Sequence, residues 1–150
     1  MHIVLVRPEI PPNTGSIARL CAATETPLHL IAPLGFKIDD KHLKRAGLDY
    51  WKYVDVHLHD SWDDFLRKHG QERLLYFSKR ASTTYTRACY QESDFLVFGP
   101  ETVGLPQELL DANAERAYRI PMIGQGVRSL NLSNAVSVVL YEALRQLGKV

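Results

Sequence analysis

Short apolar, β-branched runs alternate with helix-patterned stretches from one end of this 150-residue chain to the other. His2–Val6 reads as a buried strand, stopped by Pro8, Pro11 and Pro12. Asn13 or Thr14 can cap a helix that continues to Thr24, with Ile17, Leu20 and Cys21 on one face. Residues 28–32 form the second strand, and a charged helix comes next over 41–46, closed by Gly47. Residues 53–58 alternate as a third strand; Ser61 and Asp64 then make a capping-box pattern for a helix to Lys68. Residues 74–77, 95–98 and 117–120 complete the strands, with a short helix from Pro106 and a last helix over 133–147. Such alternation predicts an α/β fold, a mostly parallel six-stranded sheet with helices on both faces. No repeat, linker or composition break divides it, so residues 1–150 are expected to form a single domain. Ligands bind such sheets beyond the carboxyl ends of the strands, which directs attention to the loops after strands one, five and six.

Composition narrows the function classes. Hydrophobic residues make up 45% and charged residues 23%, which excludes a disordered chain. No apolar run approaches the roughly 18–20 residues of a membrane helix, and the first residues lack the basic start of a signal peptide, so no membrane association and a cytoplasmic location are expected. Cys21 and Cys89 cannot staple a fold of this size and are expected to be reduced. A net charge of +1 gives no global nucleic-acid footprint, so any RNA contact needs a local patch or a composite surface.

Three loops carry more polar and backbone chemistry than turns require. The first contains Asn13, Gly15 and Arg19; read plainly it is a strand-to-helix turn, and read functionally it places Arg19 where it can hold a phosphate or carboxylate. The second runs Phe98-Gly99-Pro100-Glu101-Thr102-Val103-Gly104-Leu105-Pro106. Its glycines let backbone approach a ligand and its prolines stiffen the chain beyond them, yet it matches neither phosphate-loop nor dinucleotide fingerprints. The third, Arg128-Ser129-Leu130-Asn131-Leu132-Ser133-Asn134-Ala135, opens the final helix with more polar residues than one cap needs. Ser133, Ser137 and Tyr141 continue a polar stripe. The apolar arc beside it, centred on Val136, Val139 and Leu140, is wider than one sheet should cover and predicts packing on a second subunit.

In this order and spacing the three loops resemble the three motifs of the SPOUT superfamily of RNA methyltransferases, over essentially the whole chain. The similarity is greatest to its small single-domain branch, which 2′-O-methylates the wobble nucleotide of bacterial tRNA. Leu34-Gly35-Phe36 and Arg45-Ala46-Gly47-Leu48-Asp49-Tyr50 also resemble that branch. The resemblance implies a C-terminal deep trefoil knot, S-adenosyl-L-methionine as cofactor, tRNA as partner, and a homodimer sharing its active sites. By motif position the cofactor falls to Phe77, Gly99, Ile120, Met122, Ser129 and Leu130. The loop Ser78-Lys79-Arg80-Ala81 departs from the Thr-Lys-Gly of relatives. Relatives often extend beyond the equivalent of Val150, so RNA contacts here are expected from the body of the domain.

The implied reaction is an in-line methyl transfer to a ribose 2′-hydroxyl, in which the protein must align two reactants and manage one proton. Arg19 is the first catalytic candidate. The superfamily reading makes it a general base, but a guanidinium stays protonated, which favours a clamp on phosphate that stabilises developing alkoxide. Tyr141 is the second candidate. Asn13, Glu101 and Asn131 are expected to shape loops and substrate pocket. Lys41, Lys44 and Arg45, beside Tyr50, Trp51 and Tyr53, form one RNA-binding patch, and Lys79 and Arg80 a second. His57 and His59 alternate on a strand with no third ligand at metal spacing, so no metal is expected.

Overall fold

The computed structural model describes residues 1–38, 41 and 50–150. Of the helix expected over 41–46 only Lys41 is described, and it is exposed; Lys44 and Arg45 lie outside the described residues. The elements are β1 (His2–Val6), α1 (Pro11–Thr24), β2 (Leu28–Ile31), β3 (Val56–His59), α2 (Trp62–His69), β4 (Leu74–Phe77), β5 (Thr83–Thr84), β6 (Phe95–Phe98), α3 (Gln107–Ala112), β7 (Ala117–Arg119) and α4 (Leu132–Gln146).

Among the described residues the sheet has seven strands in the order β3-β2-β1-β6-β4-β7-β5, and every neighbouring pair is parallel. The strand beyond the expected six is β5, two residues paired with β7 and too short to show a periodicity. Both faces are buried. Ile3 and Leu5 enter one core with Ile17, Cys21, Val136, Val139 and Leu140, under α1 and α4. Val4 and Val6 enter the other with Phe65, Val97, Leu105 and Leu110, under α2 and α3. That two-sided burial is why the strands read as continuous apolar runs, and each full burial contributes about 1.5–3 kcal/mol.

Two local expectations change. The third strand starts at Val56, because residues 51–53 form a single 3₁₀ turn with Tyr53 exposed. Within β3, Val56 packs against the core while Leu58 is exposed and His59 buried. Helix α1 starts at Pro11, with its two prolines at positions that need no donor and no side-chain cap. Asn13, expected as a possible cap, therefore sits inside the first turn with its amide free for other work. Ser61 does cap α2, accepting from Asp64 N at 3.0 Å.

Candidate active site

The loops after β4, β6 and β7 all leave the same edge of the parallel sheet, and a cavity of about 430 Å³ opens there. Phe77, Gly99, Ile120, Met122, Ser129 and Leu130, the six residues expected to hold a cofactor, all lie in its wall. Phe98 and Leu132 add apolar surface, and Ser78, Lys79, Arg80 and Arg128 add polar groups. An apolar cleft with a few convergent polar groups is the usual form of a small-molecule site.

Asn13 in the first turn of α1, Glu101 in the loop after β6 and Asn131 at the cap of α4 meet in one hydrogen-bond chain. Asn131 Nδ2 donates to Asn13 Oδ1 at 2.9 Å, and Asn13 Nδ2 donates to Glu101 Oε1 at 3.2 Å. Glu101 also accepts from the backbone N–H groups of Glu9 (2.8 Å) and Ile10 (3.0 Å), so its charge lies at the start of α1, where the helix dipole favours an anion. Glu9 answers across the same gap, accepting from Thr102 N at 3.1 Å and Thr102 Oγ1 at 2.9 Å. Asn131 meanwhile caps α4 by accepting from Ser133 N at 2.9 Å. One residue of the polar cluster, Asn131, thus both caps α4 and joins it to α1.

The second loop folds back on itself. A Cβ on Gly99 would stand 2.4 Å from the backbone of Gly104 and Leu105, and Gly104 has φ +68°, which L side chains rarely adopt. Arg80 Nη2 donates to the carbonyls of Val103 (3.2 Å) and Leu105. The guanidinium expected to face RNA is therefore engaged in bracing this loop. Sequence reasoning missed this bracing, because carbonyls turned outward by a Gly-Pro loop carry no sequence signal. Lys79 is exposed at the cavity rim.

Neither Arg19 nor Tyr141 lines this cavity. Arg19 is exposed, its guanidinium carbon 4.9 Å from the centre of the Tyr50 ring. Tyr141 borders a separate hollow of about 310 Å³ with Ala22, Glu25 and Lys149. The arc centred on Val136, Val139 and Leu140 is fully buried within the chain, so its width does not require a partner. His57 is exposed, but His59 is buried beside His29 and His69, two histidines from other parts of the chain where a lone strand pair is expected. Among the described residues no helix is long and apolar enough to cross a membrane.

Fold and site together define a parallel α/β protein with a nucleotide-sized cavity at the carboxyl ends of its strands, walled by three interlocked loops. The sequence matches the SpoU rRNA Methylase family over residues 1–141, and the chain belongs to that family, as its three motifs led us to expect. It is 52% identical over 149 residues to the tRNA (cytidine(34)-2′-O)-methyltransferase of Escherichia coli K12, covering 99% of this chain and 94% of that one. A solved structure described as giving structural insights into the 2-OH methylation of C/U34 on tRNA matches with TM-score 0.91 and 51% identity, covering 99% of this chain and 97% of the other. The AdoMet-bound rRNA methyltransferase of Sinorhizobium meliloti matches with TM-score 0.83 and 27% identity, over 97% of this chain and 56% of its own.

Proposed function

We propose that this protein is an S-adenosylmethionine-dependent methyltransferase acting on the 2′-hydroxyl of the wobble nucleotide, cytidine or uridine at position 34, of tRNA. The observation that carries the reading is the cavity itself, which gathers all six residues of the motif-based cofactor set beside the Asn131–Asn13–Glu101 chain. The relatives named for methylation at position 34 match over nearly the full chain.

The residues present fit the cofactor. Gly99 lets the loop close tightly on Gly104 and Leu105 in the cavity wall, and Phe77, Ile120, Met122 and Leu130 offer apolar surface to an adenosine. Ser129 supplies a hydroxyl in the same wall. When bound, S-adenosylmethionine supplies an electrophilic methyl group on a sulfonium. The protein aligns the ribose with it, and the rigid loop junction keeps both sides of the cleft in register. Arg19 holds the phosphate next to the target ribose and stabilises negative charge as the hydroxyl loses its proton. Tyr141 is the second group on that substrate face. Both lie outside the cavity of their own chain, which supports a homodimer in which each completes the partner's site. Lys79, Lys41 and the neighbouring Lys44 and Arg45 bind the anticodon arm, so affinity for tRNA falls with salt. The single domain spans residues 1–150, closes its C-terminal part in a trefoil knot, and works in the cytoplasm.

Incubation with S-adenosylmethionine and unmodified bulk tRNA, then digestion and mass spectrometry, tests the assignment. Methyl is expected on the wobble ribose of a subset of tRNAs, and is expected to vanish when that nucleotide is made 2′-deoxy. Methyl on a base, or on a ribose outside the anticodon loop, overturns it.

A further inference from the structure

Five of the six histidines, His2, His29, His57, His59 and His69, gather on one face of the first three strands. Register brings them there. His29 of β2 lies opposite His57 of β3, with His59 two residues on, and α2 folds back over this face to deliver His69 from its last turn. His29 and His59 are 1% and 4% exposed. None of the five lines the cavity at the carboxyl ends of the strands.

We propose that His29, His59 and His69 form a binding site for a zinc-class divalent cation, independent of the methyl-transfer reading. One ring nitrogen from each lies within 4.8 Å of the others. His29 Nδ1 and His59 Nε2 are 2.9 Å apart. Two nitrogens bound to one tetrahedral ion at about 2.0–2.1 Å stand roughly 3.3–3.4 Å apart, so the pair needs to open by only a few tenths of an ångström.

The surroundings are those of ligating imidazoles, whose second nitrogen normally faces an acceptor that fixes the tautomer. His29 Nε2 is 2.9 Å from His2 Nδ1, and His59 Nδ1 points toward Asp64 Oδ2 at 3.9 Å. His59 Nδ1 is buried and has no hydrogen-bond partner among the described residues, an arrangement that costs free energy unless the ring is held for another purpose. Burial also keeps these rings neutral: it pushes His29 down to about 2 and His2 to about 4, and lowers His59 and His69. Lone pairs are therefore available at neutral pH without first releasing protons. Phe65 and Phe95 wall the group, while half-buried His69 leaves an approach from solvent. Three imidazoles with no carboxylate among them suit zinc, cobalt, nickel or copper rather than magnesium or calcium. A bound ion would tie edge strand β3 to β2 and α2.

Chelator-treated full-length protein titrated with Co²⁺ alone tests the site. The expected result is the intense visible absorption of four-coordinate Co²⁺, saturating at one ion per chain and displaced by Zn²⁺. His69→Ala, at the half-buried position, is expected to weaken binding at least tenfold. Cys89→Ser, which removes the exposed thiol, is expected to leave it unchanged. Only the pale six-coordinate spectrum, or an intense one that survives His69→Ala or is lost with Cys89→Ser, overturns the proposal. The unmutated protein gives an independent readout that needs no variant to fold. One equivalent of Zn²⁺ should shift the ring resonances of His29, His59 and His69, and unmoved resonances count against the site whatever the variants do.

Discussion

Beyond β1, β6 and β7, polar side chains from the start of α1 and from two loops satisfy one another, and each hydrogen bond fixes the position of a backbone segment. Over one face of β1 to β3, imidazoles are pressed together by strand register, and one ring nitrogen has no partner among the described residues. The first region stores its specificity in geometry, so small changes in shape should dominate its behaviour. The second stores it in protonation state, so pH and cations should. Perturbations that act on one region and spare the other therefore test whether the division is real.

The largest effect is expected from Arg19→Ala. Arg19 lies outside the cavity wall, so S-adenosylhomocysteine affinity by calorimetry should stay within about twofold, while methyl transfer to tRNA falls roughly 10²–10³-fold or more, as for the loss of one transition-state donor. Wild-type turnover in this variant would remove the clamp role. Gly99→Ala should do the reverse. Its Cβ has no room beside Gly104 and Leu105, so the loop must shift, and an overpacking cost of about 1–3 kcal/mol corresponds to roughly a 10–100-fold weaker cofactor site. Unchanged affinity would mean that the loop fold does not shape the site.

The two regions also differ in how far they can be read from sequence. The pocket is legible because its parts sit in three contiguous loops whose residue types exceed what turns need. Asn13, Glu101 and Asn131 stand out even before their mutual bonds are seen. What the loops do not disclose is division of labour: Asn13 is a joint and not a cap, and Arg80 braces the carbonyls of Val103 and Leu105. The histidine face is illegible for a physical reason. Each strand contributes one or two imidazoles, and only the β2–β3 register and the return of α2 bring His29, His59 and His69 together. Period-2 patterning in residues 53–58 does not separate His57, which is exposed, from His59, which is buried. The seventh strand escapes for a simpler reason, being two residues long.

An intermediate effect should come from Glu101→Ala, which removes the acceptor shared by Glu9 N, Ile10 N and Asn13 Nδ2. Hydrogen bonds to a charged group contribute about 1.5–3 kcal/mol, so a loss of about 2–3 kcal/mol in urea unfolding is expected, with Glu101→Gln recovering part of it. If Glu101→Ala unfolds at the wild-type urea midpoint, the junction is not what holds the loops together.

The smallest effect belongs to the histidine face and is a slope, not a step. An imidazole whose pKa is depressed by folding contributes its full stability above the unfolded value near 6.5, and loses it as pH falls toward the folded value. His29 is depressed to about 2 and His2 to about 4, chiefly by desolvation and with the neighbouring histidines adding to it. His59 and His69 move the same way, with Asp64 and Lys68 opposing each other at His59 and Glu72 resisting the shift at His69. Between pH 6.5 and about 4, His29 and His2 take up protons chiefly on unfolding, so acidification must destabilise the chain. Each such ring adds at most about 1.4 kcal/mol per pH unit to that slope. His29→Leu removes the most buried of them, so the stability of chelator-treated protein should decline less steeply below pH 6.5, by up to about that amount per unit. Glu101→Ala leaves every one of these rings in place, so the decline below pH 6.5 should persist in that variant at a lower overall stability. A parallel, unflattened curve for His29→Leu would show that acid acts elsewhere and would dissolve the contrast between the two regions.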